Sequence, residues 1–64
     1  LDTVALLEDL PEKGLYKGQV GVLVEELAEG MFEVEFSDNE GRSYALAPLH
    51  SEQLLVLYHQ PVAA

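Results

Sequence analysis

The run Met31-Phe32-Glu33-Val34-Glu35-Phe36-Ser37 alternates apolar and acidic residues over one strand length, and no other feature restricts the chain as much. In an extended strand successive side chains point to opposite faces. Phe32, Val34 and Phe36 are therefore predicted on one face and Glu33 and Glu35 on the other, the pattern of a half-buried strand. Turn signals bracket it. Ala28-Glu29-Gly30 precedes it and Asp38-Asn39-Glu40-Gly41 follows. Each offers a glycine for the left-handed position that closes a hairpin, and Asp38 can also bond the turn backbone.

The neighbouring segments extend this into a meander. Upstream, Val20, Val22 and Val24 alternate with Gly21, Leu23 and Glu25, and the valines are expected to face the core. Downstream, Arg42 to Ala47 reads as a strand with Tyr44 and Leu46 on the core face. It is expected to end at Pro48, whose missing N–H excludes a central ladder position. Residues Asp2 to Asp9 read as a first strand through β-branched Thr3 and Val4, with a short helix as the rival reading. Leu10 to Gly18 holds Pro11, Gly14 and Gly18 and reads as a long loop. Leu49 to Gln53 suits one 3-10 turn with Ser51 in capping position. Leu54 to Tyr58 is a last apolar strand, and His59 to Ala64 an unpaired tail.

This order of elements predicts an all-β fold, a small SH3-like five-stranded barrel over residues 1–58 with one 3-10 turn before the last strand, then a tail over 59–64. Its core is expected to take Val4 and Leu6 from the first strand and the three valines from the second. To these it adds Phe32, Val34 and Phe36, then Tyr44 and Leu46, then Leu55 and Leu57. Leu23, Met31, Ala45 and Ala47 are expected to face outward beside the glutamates.

Composition narrows the function. Sixty-four residues make one domain, and chains of this size bury only about 60% of the surface their unfolded form exposes. The absence of cysteine excludes a disulfide framework and a thiolate metal site. The apolar content of 48% argues against disorder, while a net charge of −9 favours solubility through self-repulsion. No segment approaches the roughly 20 apolar residues of a transmembrane helix, and no basic stretch precedes an apolar run, so a cytoplasmic protein without membrane contact is expected. The start at Leu1 is expected to reflect trimming or disorder of the ends, not removal of a signal.

Two resemblances follow from these residues. Gly18-Gln19-Val20-Gly21-Val22-Leu23-Val24 resembles the KOW-type turn and strand of ribosomal and transcription-elongation SH3-like domains. The chain from Asp2 to Tyr58, through DTVALLEDLP, KGQVGVLVEE, FEVEFSDNEGRSYAL and PLHSEQL, is similar to a family of short bacterial proteins frequent in cyanobacteria, classed as a domain of unknown function (DUF4926-like). The second resemblance implies an SH3-like fold and carries no activity or catalytic residue. It also implies an association with small toxin and antitoxin gene pairs.

Gly18 and Gly21 would let a nucleic-acid backbone approach, or else serve a turn and a crowded strand crossing. Three cations, Lys13, Lys17 and Arg42, stand against twelve acids. Because cationic contacts to phosphate dominate nucleic-acid affinity, the steric reading is preferred and no nucleic acid is expected as partner. The stretch Asp38 to Gly41 lacks the ligand spacing of an EF-hand, so no metal or cofactor is expected. His50 and His59 have no serine or cysteine partner at telling spacing, and a small barrel offers little concave volume to separate two carboxylate pKa values. No catalytic residue is assigned and the protein is not expected to be an enzyme. Tyr16, Tyr44 and Tyr58 do not make a peptide groove without a tryptophan or an aromatic-rich first loop.

What remains is the acidic hairpin. Glu33 and Glu35, roughly 7 Å apart on one face, repel each other unless a cation is near. The expected function is a noncatalytic acidic protein-interaction module that neutralises or accompanies a basic partner encoded nearby, antitoxin- or immunity-like. Glu25, Glu33 and Glu35 would make the charged contacts and Leu23 and Met31 the apolar ones. A structural homo-oligomeric unit is the alternative, and a KOW-like nucleic-acid accessory domain the third.

Overall fold

A computed structural model describes residues 2–58 and 60–61. The alternating run forms β3 (Met31–Ser37), flanked by β2 (Val20–Ala28) and β4 (Ser43–His50) across the two predicted turns. β1 (Thr3–Leu6) pairs with the start of β2, and β5 (Leu54–Leu57) pairs with β1. All pairs are antiparallel, and the five strands make one open sheet in the order β4-β3-β2-β1-β5. One 3-10 turn (Ser51–Gln53) precedes β5 as expected, and a second (Pro11–Lys13) interrupts the long first loop.

Both meander turns form as their residues dictate. Asp38 Oδ1 accepts the backbone N–H groups of Glu40 at 2.9 Å and Arg42 at 3.0 Å, which closes the β3–β4 turn. Ser51 does not cap the later turn. It is that turn's first residue, and its N–H donates to the Gly30 carbonyl at 2.9 Å, tying the turn to the tip of the β2–β3 hairpin.

Residue volume, not alternation, sets which faces turn inward. Phe36 is fully buried, with Gly21 of β2 and Ala45 of β4 directly opposite it on either side. A Cβ on Gly21 would lie 2.8 Å from both the Glu35 carbonyl oxygen and Val34 Cγ1. The inner position on β2 is already full, so β2 turns Gly21 and Leu23 inward and its three valines outward. On β4, Ala45 lies opposite Phe36 and Ala47 opposite Val34, small residues facing larger ones, and Leu49 lies opposite the half-buried Phe32. Ala47 and Leu49 are buried and Ala45 packs against the core, whereas Tyr44 and Leu46 are exposed.

These placements correct the expected core. Val4, Leu6, Val34 and Phe36 are buried as predicted, and Phe32 packs against them half-buried. Val20, Val24, Tyr44, Leu46 and Leu55 are exposed. Leu23, Ala45 and Ala47, expected outside, belong to the inner face. β5 turns Leu54 toward the core, opposite Leu6. The first loop supplies Leu10 and Leu15, both buried and joined by reciprocal backbone hydrogen bonds of 2.8 and 3.2 Å. Burying each contributes about 1.5–3 kcal/mol. β1 is shorter than predicted, and β4 runs on through Pro48, which an edge strand tolerates. Of the expected tail, Gln60 and Pro61 are exposed. His59 and residues 62–64 lie outside the described residues.

The two leucines of β4 test this phase. Leu49 is 1% exposed and Leu46 is 59% exposed. Leu49→Ala is expected to cost about 2–5 kcal/mol, and Leu46→Ala no more than about 0.5 kcal/mol. Urea unfolding of both variants measures this, and the reverse ranking would turn β4 over.

Candidate interaction site

The β2–β3 ladder builds the acidic surface. Its register runs Gly21 opposite Phe36, Val22 opposite Glu35 and Leu23 opposite Val34, then slips so that Glu25 faces Glu33 and Glu26 faces Phe32. Val24 is the extra residue of a β-bulge. A second slip at Leu27 places Ala28 opposite Met31. Directly opposed residues on antiparallel strands share a face. The outer face therefore carries Glu25 beside Glu33, Glu35 between Val22 and Leu46, and Met31 between Ala28 and His50.

Of the five residues singled out from sequence, four come together. Glu25, Glu33, Glu35 and Met31 share the outer face of the hairpin. Leu23 does not join them. It lies on the inner face against the core, because Gly21 fixes the phase of β2 before the first bulge.

No cation answers this row. Among the described residues the ion pairs are those of Arg42, with Asp38 at 3.2 Å and with Glu40, and both belong to the β3–β4 turn. The Arg42 backbone N–H holds the Asp38 carboxyl below the ordinary carboxylate range; desolvation opposes this, and the Glu40 backbone N–H and the Arg42 guanidinium add to the lowering. The turn thus consumes Arg42, the cation nearest in sequence to Glu35. Lys17 offers its backbone N–H to Asp9 Oδ1 at 2.9 Å, and among the described residues neither Lys13 nor Lys17 forms an ion pair.

The glycine pair has a structural account. Gly18 has φ +93°, a left-handed conformation that strains other residues. Gly21 sits where a side chain would strike the β3 backbone. Gly21→Ala is therefore expected to destabilise by about 1–3 kcal/mol through overpacking. Denaturant unfolding reports it, and an unchanged midpoint would mean that the two strands are not so close.

One feature of the site was not anticipated. At the tip of the hairpin the inner face is left open, and Leu23, Phe32, Leu54 and Val56 line a cleft with Asp2 and Ser51 at its lip. The bulges that shape it lie in Val24-Glu25-Glu26-Leu27-Ala28, where period-two reading has no purchase. The only signal was the length of that segment before its glycine. Among the described residues no group of three His, Asp or Glu side chains comes together to hold a metal ion, and no helix is long and apolar enough to cross a membrane.

The family described as Domain of unknown function (DUF4926) matches residues 1–56, and the chain belongs to that family. No curated protein and no solved structure matches the chain.

Proposed function

We propose that this chain is a noncatalytic, acidic protein-interaction module of the cytoplasm that neutralises or accompanies a basic protein partner, in the manner of an antitoxin or immunity protein. The carrying observation is the direct opposition of Glu25 and Glu33, with Glu35 two residues along and no cation paired to any of them among the described residues. Like charges directly opposite cost stability. A cationic partner would convert that cost into binding. Val22, Leu46 and Met31 beside the acids add apolar contact area on the same face. An SH3-like barrel is the finer reading of the fold, supported by the strand order, the long first loop, the two tight hairpins and the 3-10 turn before β5.

A homo-oligomeric unit is the second reading, and one observation favours it. The β5 edge, Leu54 to Leu57, carries no charge and exposes Leu55, while the β4 edge is blunted by Pro48. The KOW-like reading stays third, since Gly18 serves a left-handed turn and Gly21 a crowded strand crossing.

The experiment is affinity capture with the full chain as bait, followed by association kinetics of the recovered partner at two salt concentrations. Electrostatic steering raises on-rates by about 10- to 1000-fold, so Glu33→Gln with Glu35→Gln is expected to slow association severalfold and flatten its salt dependence. Unchanged kinetics in the double variant would reduce the row to a solvated face. Light scattering of the free chain separates the second reading, because a single-copy mass removes it.

A further inference from the structure

The open end of the core carries more than the acidic row does. Val4, Leu23, Phe32, Leu54 and Val56 belong to the inner face, yet together they line a cleft of about 250 Å³. The chain leaves its own core wall uncovered there. The cleft shares Asp2, Leu23 and Phe32 with a second groove whose remaining walls are Val24, Glu25 and Glu26. The bulge at Val24 explains the acids at this lip: by slipping the register once, it sends Glu25 to the outer row and Glu26 to the cleft side, opposite Phe32. Asp2 is held at the other lip, where its carbonyl accepts the Leu23 N–H at 3.0 Å.

An apolar cleft with Asp2 at its lip, opening onto a groove walled by Glu25 and Glu26, with no cation paired to these acids among the described residues, selects its occupant by chemistry. The cleft, at about 250 Å³, falls below the roughly 300–1,000 Å³ of small-molecule sites and suits one side-chain anchor, while the adjoining groove of about 340 Å³ leaves room for a charged neighbour beside it. A second copy of the chain would bring a net charge of −9 to the same rim, so self-docking is opposed. We infer that this cleft receives a large apolar side chain of the cationic partner, with lysine or arginine next to it in the partner's sequence reaching Asp2, Glu25 and Glu26. The inference rests on the basic-partner reading and adds a second, inner contact to the outer acidic row.

The test uses the full chain and three blocked five-residue peptides, followed by backbone and methyl NMR shifts. One peptide alternates lysine with leucine, one lysine with alanine, and one glutamate with leucine. The lysine–leucine peptide is expected to shift the Leu23, Leu54 and Val56 methyls, the lysine–alanine peptide only the Glu33 and Glu35 amides, and the glutamate–leucine peptide neither set. Two exposed rim charges make a modest contribution, so Asp2→Asn with Glu26→Gln should weaken lysine–leucine binding about two- to fivefold at low salt. Val56→Thr, which keeps the side-chain outline at a partly exposed site, should weaken it at any salt, with thermal unfolding showing the variants folded. Shifts confined to the Glu33 and Glu35 amides would overturn the cleft and leave the outer row standing. Equal cleft shifts from the glutamate–leucine peptide would overturn the charge requirement. Shifts in neither set from any peptide would overturn both the cleft and the reading beneath it.

Discussion

The volume of the Phe36 side chain, held between Gly21 and Ala45, is the constraint on which the sheet depends. One ring fills space that three strands would otherwise share, so each neighbour presents a residue with little or no side chain. The choice propagates by two along each strand. On β2 it turns Leu23 inward and Val20, Val22 and Val24 outward; on β4 it turns Ala47 and Leu49 inward and Leu46 outward. The outer face is consequently part apolar and part acidic, a composition a partner can use.

The bulges then decide what that face can do. β2 has nine residues and β3 seven, and the two register slips absorb the difference. Without the first slip Val24 would face Glu33, and Glu25 would fall on the inner side against Phe32. With it, two acids stand opposed on the outside and a third guards the cleft. Opposed like charges cost about 0.2–1 kcal/mol, while each large apolar side chain buried on the other face contributes about 1.5–3 kcal/mol. Packing therefore outweighs the repulsion, and the fold tolerates an acidic row that it does not need.

Much of this was legible in the residues. β3 could be read strand, face and flanking turns together, because its alternation is strict and Asp38 and two glycines punctuate it. Strand number and the late 3-10 turn followed from spacing. Facing did not, wherever both faces of a strand are apolar. Val20-Gly21-Val22-Leu23-Val24 looks best with its valines inside, and only the crowding of Gly21 by Glu35 and Val34 reverses it. Tyr44 and Leu46 outweigh Ala45 and Ala47 on any hydrophobicity count, yet small residues are what Phe36 and Val34 leave room for. Leu10 and Leu15 were hidden in a loop defined by its proline and glycines. Of the site, Glu33 and Glu35 were placed together by alternation; Glu25 joins them only because the bulge at Val24 offsets the reversed phase of β2, and Glu26 and the cleft depend on the same bulge, which no residue type announces.

The central claim is that Glu25 and Glu33 stand face to face without a cation, and a double-mutant cycle addresses it most directly. Glu25→Gln, Glu33→Gln and the pair would be compared by urea unfolding at low ionic strength. Each single change is expected to stabilise by about 0.2–1 kcal/mol, and the pair by no more than one alone, since either substitution already removes the shared repulsion. Salt should erase the difference. Strictly additive effects that persist at high salt would contradict it, separating the two acids and with them the bulged ladder from which the acidic surface follows.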